Sequence, residues 1–507
     1  MEKADIINGK RFNNNDSFDL NTIGLVDYNV VKEAVFKVKE NPFTYHIVNY
    51  FAVPKENVFN IYVLIANDIK GDFIILAHQY KSNQKPLESL TANFPAMHVF
   101  EREMHENFDI KFSNHPWLKP LRYPHNRANT AKIIKDYPFY KVDSHETHIV
   151  SVGPIHAGII EPGHFRFTCN GEMVQHLEIQ LGWQHRGVEA LFLKQPNLLS
   201  QNILAERITG DSTIAHTLTF VNVIESLMGN VPLKQVQLER NIALELERIA
   251  MHTSDLSGMC TDVAYQLGSS TFGALRTPII NFLQKWCGSR FGRGLIRVGG
   301  SQYPLNVILK NELIEILDTY KKTFKLMARH TLNLPSIIKR FDGIGAITQN
   351  QAIKIGAVGM IARTTGLKRD IRYTHPNKIY KTIEHAPCIE KTGDIMSRAL
   401  VRKNEILQSI ALIKTMLNKI EDFKSTPPIY KATLQKNICA HGAVEGFRGE
   451  ISHTAFTDAD GNLCFYKIKD PSLHNWKGLE LSLRNLEISD FPINNKSYNL
   501  SYCGHDL

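Results

Sequence analysis

The sequence predicts an α+β protein: a small N-terminal α/β domain followed by a large, mainly α-helical domain with a small β region at its ends. Short runs rich in Val, Ile, Tyr and Phe fill much of the first hundred residues, and long stretches with apolar residues at every third or fourth position fill the middle. Alternating β-branched segments with Asn-Gly and Asp-Gly turns lie on either side of that middle. At 507 residues the chain has room for several domains of ordinary size.

In chain order, residues 1–122 form the small domain. Phe43 to Val53, Val58 to Ala66 and Asp72 to His78 are strand-like runs bounded by turn residues. Lys85 to Phe94 reads as a polar connection and Val99 to Phe108 as helix. Pro124, Pro138 and several Asn and Lys residues mark 123–147 as a linker. Residues 148–507 form the second domain. In Ile242 to Leu256 the residues Ile242, Leu246, Ile249, Ala250 and Leu256 share one face, and Glu245, Arg248 and His252 are expected off it. Leu305 to Leu332 and Arg398 to Ile420 behave alike. Thr147 to Gln180 and Gly449 to Lys467 carry the turns Asn170-Gly171 and Asp460-Gly461, and these two ends are expected to meet in one small sheet.

Composition narrows the function. A net charge of +9 and 43% hydrophobic residues describe a globular chain, not a disordered, collagen-like or disulfide-built one. No run of about 18 uncharged apolar residues occurs, and the start Met1-Glu2-Lys3-Ala4-Asp5 lacks a secretory signal's apolar stretch. A cytoplasmic protein, peripheral on the inner membrane, is expected. The seven cysteines form no C-x-x-C pair, which argues against a zinc ribbon or an iron–sulfur cluster held by this chain. The basic stretch from Lys285 to Arg297 is interleaved with glycines and reads as a solvated or partner-facing loop, so no nucleic-acid partner is expected. Gly343-Ile344-Gly345 lacks the third glycine of a dinucleotide loop.

Two groups of motifs carry a family resemblance. Glu101-Arg102-Glu103-Met104-His105-Glu106, followed by His115-Pro116-Trp117-Leu118 and Leu121-Arg122, resembles the signature of the thirty-kilodalton peripheral subunit of respiratory complex I, with Asp109 where that family usually has glycine. Read from the residues alone, Glu101, Arg102 and His105 are helical neighbours in a salt-bridged helix end. From 148 onward the chain resembles the forty-nine-kilodalton subunit of complex I. It resembles more closely the large subunit of membrane-bound nickel–iron hydrogenases of the formate hydrogenlyase type. The matching stretches are Gly153-Pro154-Ile155-His156, Glu161 to Phe167, Asn170-Gly171-Glu172, His185 to Glu189, Glu245 to Ile249, Arg369 to Arg372, Gly393-Asp394, Glu445 to Glu450, Asp470-Pro471-Ser472 and Asn495 to Leu507. The resemblance implies a fused peripheral-arm subunit of an NADH-quinone oxidoreductase or energy-converting hydrogenase assembly, with a hydrogenase-like large domain.

The resemblance also supplies expectations for the site. A nickel–iron centre takes four thiolates because soft metals need deprotonated sulfur. The positions that match the two cysteine pairs hold Thr209 and Ser212, then Ser501 and Gly504, so no such centre is expected and this chain is expected to bind no metal or cofactor. An iron–sulfur cluster is expected in a partner subunit instead. The quinone-contacting positions of complex I correspond to His156, Ile160 and Gly210, of which only the first can donate a side-chain hydrogen bond. The space left still admits an apolar ring, which keeps quinone among the candidate partners. Glu189 matches the proton-relaying glutamate of hydrogenases, and Glu189, His156 and Arg186 are the candidate catalytic residues. The other reading of Glu189 is a helix-start pair with Arg186 or His185. His164, Arg166 and Arg448 would face an iron–sulfur small subunit, or serve as ordinary hydrogen-bonded residues. Arg369, Asp370 and Arg372 read as a solvated charge run. Antiporter-like membrane subunits complete the expected partners. The chain is thus expected to be a subunit of an oxidoreductase complex, not an enzyme alone, and the alternatives are an architectural scaffold or a quinone reductase with relocated donors.

Overall fold

In a computed structural model the described residues are 7–420 and 426–507, apart from Asn57, Asp143 and Ile159. The apolar runs near the N-terminus become three long strands. β1 (Lys10–Asn13), β3 (Tyr45–Lys55), β4 (Val58–Asn67) and β5 (Asp72–Lys81) form an antiparallel sheet in the order β1-β5-β4-β3; the three-residue β2 (Ser17–Asp19) lies elsewhere. One face of this sheet is covered by α1 (Tyr28–Glu40) and α2 (His98–Phe108), whose Val31, Val35, Phe100 and Met104 pack on Tyr50, Val63 and Ile74. The connection expected to be polar contains a short strand, β6 (Leu87–Glu88), paired in parallel with β7 (Phe112–Ser113). Asp109 ends α2 in the left-handed conformation (φ 57°), its N–H on the His105 carbonyl. Aspartate is one of the few non-glycine residues that accepts this geometry readily, which explains how it stands where the related family has glycine.

The second part begins with an antiparallel meander, β8 (His148–Val152), β9 (His164–Asn170) and β10 (Met173–Gln180), with Gly171 in the left-handed region at the β9–β10 turn. A helical region follows: α3 (Val188–Lys194), α4 (Leu198–Ala205), α5 (Thr213–Met228), α6 (Lys234–Asp262), α7 (Gln266–Cys287), α8 (Val307–Leu332), α9 (Pro335–Phe341), α10 (Gln349–Lys354), α11 (Gly359–Arg363), α12 (Ile371–Thr374) and α13 (Ile395–Asn418). β11 (Ile438–Glu445), β12 (Glu450–Thr457) and β13 (Leu463–Lys469) then precede α14 (Ser472–Ser482), α15 (Phe491–Tyr498) and the C-terminal α16 (Tyr502–Asp506).

The two β regions of the second part do not meet in one sheet, contrary to expectation. β8–β10 stand alone, and the later sheet runs β13-β12-β11-β2, with Cys439 opposite Phe18. A strand from the N-terminal segment thereby closes an edge formed more than 400 residues later, which hydropathy patterning cannot reveal. This sheet packs face to face on the first one: Phe51 stacks on Phe465 with ring centroids 5.2 Å apart, and Tyr62 and Phe73 join Phe456 and Ile371 in the same cluster. Its other face lies on α5, so all eight residues of β12 are buried.

Burial also corrects the expected helical wheel. Residues 238–253 of α6 are buried on every face, because α7, α13, α15 and the β11 region surround it, and Glu245, Arg248 and His252 lie inside. The Arg369, Asp370, Arg372 run is buried too, at the start of α12.

Candidate functional site

The C-terminal helix organises the site. Asp506 accepts from the backbone N–H groups of Gly182 and Gln184 at 2.8 Å each, and the Leu507 carbonyl accepts from those of Arg186 and Gly187. The segment before α3 is thus stitched to the chain end. From there the Arg186 guanidinium donates to the carbonyls of Arg207 (2.7 Å), Ile208 (2.8 Å) and Cys503 (3.2 Å). One cation therefore ties the chain just before the Thr209–Ser212 turn to the Ser501–Gly504 turn.

Two of their side chains are already engaged locally. Thr209 Oγ1 accepts from the Ser212 N–H at 3.2 Å, and Ser501 Oγ caps α16 by accepting from the Gly504 N–H at 2.9 Å. Gly504 lies so close to Asp470 that a Cβ would sit 2.6 Å from its carboxyl carbon. Beside them burial pushes the Cys503 thiol up to about 12, away from the thiolate a metal requires. Three hydroxyls and a glycine stand at Thr209, Ser212, Ser501 and Gly504, with no sulfur among them. Among the described residues no three His, Cys, Asp or Glu side chains are arranged to hold a metal ion.

Charged groups lie beside these turns. Arg448 is buried and clamps Asp211 through two bonds of 2.7 and 2.6 Å. Asp470 accepts from His216 Nε2 at 3.1 Å; His216 Nδ1 lies 3.2 Å from His453 Nε2, and His453 Nδ1 lies 2.8 Å from the Tyr466 hydroxyl. With Asp470 ionised, its pKa held down against burial by His216 and Arg448, every bond in this row is satisfied when Tyr466 donates to His453, His453 to His216 and His216 to Asp470. Glu247 accepts from the N–H groups of Ile214 (2.7 Å) and Ala215 (3.1 Å) at the start of α5. Burial outweighs both bonds and pushes its pKa up to about 8.

The sequence-selected residues are distributed as follows. Glu189 lies at the start of α3 and pairs with neither Arg186 nor His185. Its carboxylate accepts from the Ile468 N–H at 2.8 Å and stands 3.2 Å from Lys467 Nζ. Lys467 also reaches Glu103 at 2.7 Å; Glu103 pairs with Arg122, and Arg122 donates to the His505 carbonyl. Glu189 is therefore one end of a buried ionic chain that ties the first domain to the C-terminal helix. His156 bonds the Gly163 carbonyl at 2.9 Å, and Gly163 abuts Tyr502, so His156 approaches the same helix from the other segment. Ile160 is exposed, and Gly210 faces open space. Arg166 and His164 both lie against the Phe139 ring. Within α2 the motif residues serve the loops, not one another: Glu101 takes hydrogen bonds from Ser89, Leu90 and Thr91, and Arg102 donates to the Lys119 and Pro120 carbonyls.

A second buried ionic group, which the sequence does not announce, lies behind the site. Glu405 bonds Arg363 at 2.7 Å and His252 at 2.9 Å, Arg363 reaches Glu445 at 2.6 Å, and Glu245 accepts from Arg372, Arg248, Tyr380 and Ser409. Arg372 is also locked to Asp370 at 2.7 Å. The one signal for it is Glu245-Leu246-Glu247-Arg248, three charges within four residues in the middle of a long helix.

Residues 25–141 match the family model of the respiratory-chain NADH dehydrogenase 30 Kd subunit, and residues 266–441 match that of the 49 Kd subunit. The chain therefore carries regions that match both family models in one polypeptide, and it is similar to complex I-type and hydrogenase-related subunits. It is 24% identical over 477 residues to hydrogenase-4 component G of Escherichia coli, covering 90% of this chain and 80% of that protein. It is 28% identical over 353 residues to the carbon monoxide-induced hydrogenase of Rhodospirillum rubrum, covering 68% and 96%. It is also 24% identical over 457 residues to the C/D subunit of NADH-quinone oxidoreductase from Phocaeicola vulgatus, covering 82% and 86%. No helix among the described residues is long and apolar enough to cross a membrane.

Proposed function

We propose that this chain is a peripheral-arm subunit of a membrane-associated, complex I-like assembly that couples electron transfer to ion translocation and holds no nickel–iron centre. The observation that carries the reading is the donor set at the former thiolate positions: three hydroxyls, two of them engaged with backbone N–H groups, and a glycine pressed on Asp470. Soft metals are not held by such groups. The chain would pack on an iron–sulfur small subunit, which supplies the cluster, and on antiporter-like membrane subunits at the cytoplasmic face. Its own contribution is a set of charged ties: Arg186 joins the two turns, and the Glu189–Lys467–Glu103–Arg122 chain links the C-terminal helix to the first domain.

A second reading, an architectural subunit with no redox chemistry, draws support from the use of Glu189 to hold the Ile468 backbone. Purification of the native complex in mild detergent separates the readings. Copurified iron–sulfur and antiporter-like proteins, with no stoichiometric nickel, are the expected result; stoichiometric nickel or hydrogen uptake overturns the proposal. An unchanged ion-translocation rate in the assembled Glu189→Gln complex assigns Glu189 to support alone.

A further inference from the structure

We propose that His46 is held as a doubly protonated imidazolium that latches the first domain to the β11–β13 sheet, and that the latch loosens when its second proton leaves, so that the docking of the two parts responds to alkaline pH. His46 lies near the start of β3 and is 3% exposed. Nothing in the function proposed above uses it.

The two ring nitrogens carry the argument. Nδ1 lies 2.9 Å from Asp68 Oδ2, just beyond β4 of the same domain, and Nε2 lies 2.7 Å from Oε2 of Glu450, the first residue of β12. A neutral imidazole has one N–H and one lone pair, so one of these contacts would set a lone pair against a carboxylate oxygen. Both contacts are hydrogen bonds only when the trio holds two protons. The second proton belongs on the ring, not on an acid. Lys469 Nζ donates to the other oxygen of Glu450 at 2.9 Å, and the buried Arg369 faces Asp68. Against the pull of burial, Lys469 and His46 hold Glu450 well below the usual carboxylate range, and His46, His375 and Arg369 hold Asp68 below it.

The ionisable groups around the trio fit this assignment. Lys469 lies on β13, Arg369 and His375 flank α12, His441 lies on β11 and His474 on α14. Arg369 donates to the Ala357 and Pro42 carbonyls. His375 bonds the Asp72 carbonyl through Nε2 and the Thr374 hydroxyl through Nδ1, which stands 3.8 Å from Asp68. Burial pushes His375, His441 and His474 down, His441 to about 3, so these rings stay neutral. For His46 burial also pulls downward, but Asp68 and Glu450 outweigh it and the shift is upward. A group raised in this way stabilises the fold fully below its ordinary pKa of 6.5, and that stability is lost as the pH rises through its folded value. Asp68 belongs to the first domain and Glu450 to the second, so the loss falls on the face where Phe51 stacks on Phe465.

The test is nitrogen-15 NMR of the full chain labelled at histidine. A histidine that keeps a proton on both ring nitrogens at pH 8, and whose signals are absent from His46→Gln, is expected. In Asp68→Asn the new amide can donate to Nδ1, which lets a neutral ring satisfy both contacts, so the proton affinity of His46 should fall about tenfold or more. Hydrogen exchange of the parent chain gives a readout for which no variant has to fold. Corrected for the intrinsic effect of pH, opening of β3 and β12 should rise about tenfold per pH unit above the point at which the His46 signals titrate, while α8 stays unchanged. A bare ring nitrogen on His46 at pH 7, equal proton affinity in the parent and Asp68→Asn, or opening of β3 and β12 that ignores the titration overturns the proposal.

Discussion

Glu247 offers the sharpest quantitative handle on the site. It is a carboxyl fully buried beneath the Ser212 position, facing Asp211 and Arg248, and it caps α5 through the N–H groups of Ile214 and Ala215. Raising such a group from the ordinary 4.5 to about 8 makes folding favour the protonated form. Its contribution to stability is therefore fully present below about pH 4.5 and is lost as the pH climbs through 8. At about 1.4 kcal/mol for each pH unit, the loss is on the order of 5 kcal/mol between those limits. Glu247→Gln cannot ionise, but its amide presents one acceptor oxygen to two N–H groups, which costs about 1 kcal/mol. The two stability curves should consequently cross at about pH 5.2, with the variant less stable below and more stable above. Denaturant unfolding of both proteins at about pH 5, 7 and 8.5 measures the gap directly, since every other titrating group is common to both. In infrared pH-difference spectra the neutral-acid carbonyl band lost near pH 8 should be absent from the variant. A gap that stays constant across this range would refute the assignment of Glu247 as a buried, near-neutral carboxyl.

Other outcomes follow from the same geometry. Glu405→Gln leaves Arg363 and Arg248 short of a buried counter-charge and should cost about 3–5 kcal/mol, read as a lower denaturant midpoint; a loss below about 1 kcal/mol contradicts the network. Gly504→Ala forces a Cβ onto Asp470 and should cost about 1–3 kcal/mol, whereas Gly210→Ala meets nothing within 4 Å and should be nearly neutral; equal effects would refute the packing argument. With its thiol pushed up to about 12, Cys503 should alkylate at pH 8 on the order of a thousandfold more slowly than a free thiol, as followed by mass spectrometry of the labelled peptide.

The elements legible in the sequence are those governed by local physics. Strands β3 to β5 announce themselves by β-branched and aromatic residues between turns, and hairpins form at the Asn-Gly and Asp-Gly pairs. The helices expected at Leu305 to Leu332 and Arg398 to Ile420 appear within about three residues of those bounds, whereas the one expected at Ile242 to Leu256 runs from Lys234 to Asp262, eight residues earlier and six later. What fails depends on long-range packing. Periodicity assigns a polar residue to the solvent face by default, and α6 has no solvent face through its centre, so the wheel misplaces Glu245, Arg248 and His252. The Arg369 to Arg372 run misleads for the same reason. At the site, the motif order locates the turns, but Glu189's true partner is Lys467, on a strand nearly 280 residues away, and no spacing rule links them.

The contrast between the two polar assemblies explains which parts of this fold tolerate change. At the Thr209–Ser212 and Ser501–Gly504 turns the Thr209 and Ser501 hydroxyls each accept from a backbone N–H three residues away, so replacing one unpairs a single donor, at a cost of about 1 kcal/mol. Behind them, Arg248, Arg363 and Arg372 face Glu245, Asp370, Glu405 and Glu445, three fixed cations against four carboxyls in a space sealed from water. Glu445, whose pKa burial pushes upward, is the member that can carry a proton and bring the sum to zero. Removing any one ion from such a set strands its partners, because the attraction that offset their desolvation is gone while the desolvation remains. A fold built this way can exchange the Thr209 or Ser501 side chain at modest cost, yet must keep Gly504 and the ionic frame intact, and the chemistry at the turns can therefore change while the architecture holds.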